Sequence, residues 1–310
     1  MNGANNQTGM SKWIRRGGIA VLGAVGLALA TLLFGAHLGE RKMQRHIDVT
    51  LAAVGYRSDA ASVERGRYLF RSRNCAECHG ADGAGRDVID DGKGLHIHAP
   101  DITRAAGSPV AHYSALDWTR TIRHGIKPDG RPVIVMPSED YARLTDDDVA
   151  AIVAYVRQLP AGAGDTAVIE FPLPVRALYA AGLVMDAAER IDHALPPSRP
   201  VPEAVTAEHG AYVANTCIGC HGAQLAGGRI AGAPPDWPPA ANLTPGAGSA
   251  LARYPDAESF IAMFRSGRRP DGSAVSPVMP FGGLKEMSET DVRALYLHLK
   301  GVPPRPSGRG

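Results

Sequence analysis

The four cysteines of this chain fall in two strings, Cys75-Ala-Glu-Cys78-His79 and Cys217-Ile-Gly-Cys220-His221. Each pair has C-x-x-C spacing and is followed at once by a histidine. Two thiols at that spacing can add across the two vinyl groups of one porphyrin and become thioethers, and the next imidazole then faces the iron. C-x-x-C-H is the attachment signature of c-type haem. No cysteine is left over for a disulfide or a free nucleophile. A zinc site drawn from both pairs or a thioredoxin-like dithiol would use the same spacing. The pairs lie 142 positions apart, however, and neither chemistry explains a histidine directly after each.

An iron held by one histidine needs a sixth ligand or an open site. After His79 and before residue 161 there is one methionine, Met136, with His96, His98, His112 and His124 as competitors. After His221 there are Met263, Met279 and Met287, with His298 as the competitor. Met263 falls on the apolar side of a helix expected from about Glu258 to Ser266, where core packing suits it. Met287 opens the next helix, and His298 lies inside it. Met136 and Met279 are the candidates that both halves share, each in the tripeptide Val-Met-Pro. A following proline and a Gly-containing loop would present the thioether stiffly, and Met/His ligation is usual for such haems. The alternative role for either methionine is gap-filling in a core. His96 and His98 read as exposed or propionate-facing side chains of an irregular loop, Asp90–His98. Asp146-Asp-Asp148 reads as an acidic helix start that favours the helix dipole.

The elements that carry these residues occur twice. His79 to Met136 is 57 positions and His221 to Met279 is 58. Pro128-Asp129-Gly130 repeats as Pro270-Asp271-Gly272, Gly125 as Gly267, and Trp118 as Phe260. Asp101-Ile-Thr103 resembles Asn242-Leu-Thr244. Two closing helices follow, Leu144–Leu159 and Met287–Leu299. Each opens on a hydroxyl residue with an acid three places later, Thr145/Asp148 and Ser288/Asp291. Val149, Ile152, Val153 and Val156 make one apolar stripe, and Val292, Leu295, Tyr296 and Leu299 make the other. Pro160 and Pro303 end both. The front helices match less well: Gly66-Arg-Tyr68 lies nine residues before Cys75, and Gly210-Ala-Tyr212 lies seven before Cys217. The repeat sets two modules, 60–160 and 204–304, with a Pro-rich linker at 161–203. The linker's apolar stretch, Leu173–Met185, contains Arg176 and is too short to span a bilayer. It is expected to pack between the modules, to lie against the membrane, or to form an ordinary core helix.

Residues 17–39 carry no Asp, Glu, Lys or Arg, and at 1.5 Å per residue they can cross a hydrocarbon layer of about 30 Å. Lys12, Arg15 and Arg16 precede them, which favours a cytoplasmic N-terminus over residues 1–16, while Arg41, Lys42 and Arg45 follow, so charge alone does not set the orientation. A cleaved signal peptide is the other reading. The apolar stretch continues through Leu32, Leu33 and Phe34, which suits a retained anchor better. The 310 residues carry 33 Lys plus Arg against 31 Asp plus Glu, a net charge of +2 without the clustered basic excess of a nucleic-acid binder. Hydrophobic residues at 45% exclude a wholly disordered chain, and 36 Gly with 24 Pro point to loop-rich modules. Aromatics at 6% are few for two such cores, which leaves room for a cofactor to fill them.

The two C-x-x-C-H strings, the Asp101-Ile-Thr103 and Asn242-Leu-Thr-Pro245 segments, the paired Pro-Asp-Gly motifs, the Met-Pro loops and the closing helices resemble class I c-type cytochromes. In particular they resemble membrane-anchored di-haem cytochrome c subunits that accept electrons from periplasmic dehydrogenases. The likeness covers about residues 60–304. It implies an all-α fold of two tandem haem domains after an N-terminal transmembrane helix, on the periplasmic side of a bacterial cytoplasmic membrane. It implies two covalent haem c groups, with Cys75, Cys78, Cys217 and Cys220 as thioether residues. His79 and His221 would be the proximal iron ligands, and Met136 and Met279 the distal ones. The expected role is an electron-transfer protein between a dehydrogenase subunit and a respiratory-chain acceptor. The alternative is a haem enzyme, a di-haem peroxidase or a thiosulfate-oxidising cytochrome, which would need one open or displaceable distal site. Alcohol and gluconate dehydrogenase subunits of this type usually carry three haem motifs, and two are present here.

Overall fold

A computed structural model of the chain describes residues 7–230, 232–234, 236–246 and 248–308. In chain order, α1 (Gln7–Met43) is followed by α2 (Ala60–Ser72) and α3 (Cys75–His79). Strands β1 (Arg86–Asp90) and β2 (His96–Ala99) come next, then α4 (Ala115–His124), α5 (Ser138–Tyr141) and α6 (Asp146–Val156). β3 (Val168–Glu170), α7 (Leu173–Ala180) and α8 (Ala187–Arg190) occupy the connecting segment. α9 (Ala207–Ala214), α10 (Ile218–His221), α11 (Ala257–Ser266), α12 (Phe281–Leu284) and α13 (Glu289–Gly301) complete the second half. These elements form two compact units. One holds the chain up to Gln44 together with Phe171–Val184. The other holds Arg45–Glu170 and everything from Met185 onward, and so contains both cysteine strings.

The all-α expectation needs a correction. β1, β2 and β3 form an antiparallel three-stranded sheet in that order. The Asp90–His98 stretch, expected to be an irregular loop, contains the turn of the β1–β2 hairpin. The Asp91 carboxylate accepts from the N–H groups of Lys93 and Leu95. Asp and Gly residues clustered between short runs are a hairpin signal. The third strand, though, arrives from about 70 residues away, and nothing local announces it. The connecting segment is also no loose tether. The Gly162 and Gly164 N–H groups reach back to Thr103 and Asp101, and the Ser198 N–H donates to the Arg143 carbonyl.

The front and closing helices of each half cross at a glycine. A Cβ on Gly66 would lie 1.9 Å from the Ala151 carbonyl oxygen, and one on Gly210 would lie 1.9 Å from that of Ala294. Both closing helices are capped as the sequence indicates, with Thr145 accepting from the Asp148 N–H and Ser288 from the Asp291 N–H. The apolar stripes of α6 and α13 are buried in two separate cores. One is built on Leu69, Phe70, Trp118 and Val149, the other on Val213, Phe260, Phe264 and Val292.

The capping acids have a second role that sequence reading missed. The Tyr68 hydroxyl donates to Asp291 (2.6 Å) and accepts from the Ser288 N–H. Reciprocally, the Tyr212 hydroxyl donates to Asp148 (2.6 Å) and accepts from the Thr145 N–H. Tyr68 and Tyr212 are repeat partners, as are Asp148 and Asp291, so the two halves meet about a pseudo-twofold. Arg65 on Asp148 and His209 on Asp291 are matched as well. Arg73 breaks the symmetry. It is 2% exposed, pairs with Asp291 at 2.8 Å, and lies in the stretch where the first half is two residues longer. Burial alone would raise the Asp291 pKa. The Arg73 charge and the hydrogen bonds from Tyr68, Arg73 and His209 outweigh it and hold the carboxyl at about 2, below its ordinary 3.8.

This packing sets two expectations for stability. Gly66→Ala and Gly210→Ala force a methyl group against a backbone carbonyl and should each destabilise the protein by about 1–3 kcal/mol in thermal or denaturant unfolding. Asp291→Ala leaves Arg73 buried without its counter-charge and should cost about 3–5 kcal/mol. In the wild type the Asp291 contribution is complete above about pH 4 and is lost as pH falls towards 2. Unfolding curves of Asp291→Asn across that range should lack this acid-dependent component.

Candidate functional site

His79 ends the short helix α3, and His221 ends α10. Each ring is oriented from one side only. The Nδ1–H of His79 donates to the Pro100 carbonyl at 2.9 Å, and that of His221 donates to the Ala241 carbonyl at 2.8 Å. This bond selects the tautomer whose Nε2 carries the lone pair, as a metal-bound imidazole requires. Burial lowers both histidine pKa values and outweighs the carbonyl hydrogen bonds, which raise them. The accepting carbonyls are held by the segments that the sequence shows as Asp-Ile-Thr and Asn-Leu-Thr. Asp101 Oδ1 accepts from the N–H and hydroxyl of Thr103, and Asn242 Oδ1 accepts from the same groups of Thr244. These two motifs stiffen the backbone immediately after Pro100 and Ala241. Residue type alone marked them as repeated, but not as the histidine supports they are.

The methionine loops are built alike. α4 ends at Gly125 and α11 at Gly267, both left-handed. The chain turns at Pro128-Asp-Gly130 and Pro270-Asp-Gly272, where each glycine has φ +81°, and returns to pair with the helix end. Met136 and Met279 follow. The Ser138 N–H donates to the Met136 carbonyl and the Phe281 N–H to the Met279 carbonyl, both at 2.8 Å. The intervening Pro137 (φ −79°, ψ 63°) and Pro280 (φ −78°, ψ 70°) sit in the inverse γ-turn region. The proline ring presets that φ, so each methionine enters its half from a fixed turn.

Each half brings its cysteine and methionine to one apolar cluster. Cys75 and Met136 pack on the first core, and Cys217 and Met279 on the second. Of the other candidates, His112 is exposed. Met263 and Met287 are core residues, 4% and 1% exposed. The His124 Nδ1 faces that of His193 at 3.0 Å. His96 and His98 both bond to Asp87 across the β1–β2 hairpin. His298 lies at the α9–α13 crossing beside Gly210, the place that Tyr155 takes beside Gly66. The two cysteine pairs do not converge on a shared cation. Among the described residues no group of three or more His, Cys, Asp or Glu could hold a metal ion. Desolvation pushes the Cys75 and Cys217 thiols up to about 12, as expected for sulfurs packed against an apolar cluster.

The segments between the paired cysteines meet the opposite half. The Gly219 N–H donates to Asp140 at 2.7 Å. In the mirrored arrangement Glu77 lies against Gly282, where a Cβ would come within 2.1 Å of the carboxylate. So an acid rests on a glycine twice, with the roles exchanged between halves.

Both halves of the chain are c-type cytochrome domains. Residues 63–160 match the cytochrome c family, and residues 204–299 match the family of cytochrome c oxidase, cbb3-type, subunit III. Two such domains carry two covalently bound haem c groups. The chain is 30% identical over 290 residues to the alcohol dehydrogenase (quinone) cytochrome c subunit of Gluconobacter oxydans, covering 83% of this chain and 58% of that protein. It is 27% identical to the fructose dehydrogenase cytochrome subunit of Gluconobacter japonicus, covering 79% and 53%. It is also 27% identical to the alcohol dehydrogenase (quinone) cytochrome c subunit of Gluconacetobacter polyoxogenes, covering 82% and 58%. The chain therefore spans a little over half the length of these relatives.

Proposed function

We propose that this cytochrome receives electrons from a dehydrogenase partner and passes them to an acceptor of the respiratory chain. In this reading Cys75 and Cys78 hold one haem and Cys217 and Cys220 the other. His79 with Met136, and His221 with Met279, would hold the two irons. When bound, haem c supplies a one-electron ferric/ferrous couple, and a thioether ligand favours the ferrous state. The residues of the chain orient, enclose and connect. Pro100 and Ala241 fix the imidazoles, the γ-turns at Pro137 and Pro280 fix the methionine backbone, and the apolar clusters pack against Cys75, Met136, Cys217 and Met279. The observation that carries the reading is the duplicated geometry. Both halves present an imidazole held at Nδ1 by a backbone carbonyl and a methionine on a proline-locked turn. A haem enzyme would leave one half open, and here the two loops are built alike.

The same reading places domains at 60–160 and 204–304, joined by 161–203. It makes α1 the single-pass anchor in a bacterial cytoplasmic membrane, with both haem domains in the periplasm. Its supports are an apolar stretch within Trp13–Met43 with mean hydropathy 2.3, only 6% buried, and the basic residues before it. The dehydrogenase partner is inferred from the relatives' names, and the respiratory acceptor from the expected one-electron chemistry.

Intact-mass measurement of mature protein should find two haem adducts. Cys75→Ala/Cys78→Ala and Cys217→Ala/Cys220→Ala should each remove one, and a wild-type mass without them would refute the reading. Met136→Ala and Met279→Ala should leave both haems attached, abolish half of the weak long-wavelength Met–Fe(III) absorption band, and lower one midpoint potential. An unchanged band in either variant would remove that methionine from the ligand set.

A further inference from the structure

The unit formed by α1 and α7 carries an apolar surface that the electron-transfer reading does not use. α7 lies along the end of α1, on a face made by Gly35, Ala36 and Gly39. A Cβ on Gly35 would lie 3.0 Å from the Ala177 Cβ, and one on Gly39 would lie 2.1 Å from the Arg176 carbonyl oxygen. Polar groups fix the contact. Arg176 pairs with Glu40 at 3.4 Å, Lys42 donates to the Tyr179 carbonyl at 2.9 Å, and the same ammonium lies 4.6 Å from the Tyr179 ring centre. Tyr179 is fully buried.

The opposite face of α7 should be polar if it met water. Instead its exposed residues are Leu173, Pro174 and Leu178, followed by Ala181, Gly182 and Leu183. Leu173, Leu178 and Leu183 are 41%, 42% and 65% exposed. Depth explains the pattern. Gly35 to Gly39 are the last residues of the uncharged run, a rise of about 6 Å, and Glu40, Arg41 and Lys42 follow at once. α7 is therefore tied to α1 where hydrocarbon gives way to headgroups. A short apolar-faced helix at that level buries about 5–10 Å into the boundary.

We infer that α7 and the following Leu183 are a second, interfacial membrane contact, whose ligand is the acyl-chain boundary of the phospholipid leaflet. This inference rests on α1 spanning the bilayer. The surface is continuous with that helix, and this continuity selects lipid over a second copy or a protein partner. The contact gives the chain a two-point attachment to the membrane, where one helix alone would leave a swivel.

The full-length haem-loaded protein, reconstituted in phosphatidylcholine–phosphatidylglycerol vesicles with a phospholipid bearing a photoreactive acyl chain, tests this. After irradiation and trypsin digestion, lipid adducts are expected on the peptide 177–190 as well as on 17–41. In Leu178→Glu/Leu183→Glu the adduct on 177–190 should fall to background while that on 17–41 and the haem spectrum are unchanged. Adducts on 17–41 alone in the wild type, as would be seen if a protein covered α7, overturn this inference and leave the anchor standing. Adducts on 177–190 alone overturn the anchor and, with it, the two-point attachment inferred here. Adducts on neither overturn both.

Discussion

The two hydrogen bonds from histidine Nδ1–H to a backbone carbonyl are the constraint on which the sites depend. Each sets a tautomer, a ring plane and a free Nε2 in one interaction, and each needs an immobile acceptor. That requirement explains the buried Asp101–Thr103 and Asn242–Thr244 turns beside the accepting carbonyls. It explains too why the chain returns there after each closing helix. Gly162 and Gly164 bond back to the first turn, and Arg305 bonds back to the second. A floppy carbonyl would let the ring rotate, and a rotating ring holds an iron poorly.

The same economy governs the contact between halves. Asp148 and Asp291 begin as helix-start acids, where the helix dipole already favours negative charge. Each then accepts a tyrosine hydroxyl from the other half. Burying Asp148, Asp291 and Tyr212, with Tyr68 half-buried, is tolerable because every one is hydrogen-bonded. The result is a reciprocal joint that places each cysteine-bearing helix against the helix following the other half's methionine. Arg73 sits on one side only, so a buried charge distinguishes two sites that are otherwise built alike.

Much of the chemistry was legible in order along the chain. C-x-x-C-H is a local motif, and its meaning depends on spacing that covalent geometry sets. The Val-Met-Pro repeat singled out Met136 and Met279, and the structure puts them in matching turns on the same clusters as Cys75 and Cys217. The closing helices carried their caps and stripes openly. What escaped was long-range. The small sheet is completed by Val168–Glu170, which no local signal ties to His96–Ala99. The purpose of Asp-Ile-Thr emerges only when Pro100 is seen beside His79. His124 stands as an open competitor in the sequence, and only the fold sets His193 against it.

The sequence by itself determined that the chain holds two copies of one haem-attaching unit behind an apolar segment, because covalent attachment, capping and helix periodicity are all encoded within a few residues. Tertiary structure alone decided which carbonyl orients each imidazole, which acid meets which tyrosine, and which face of α7 is left bare. Those choices pair residues far apart along the chain, and only the packing of the folded molecule, not any local preference, brings them into contact.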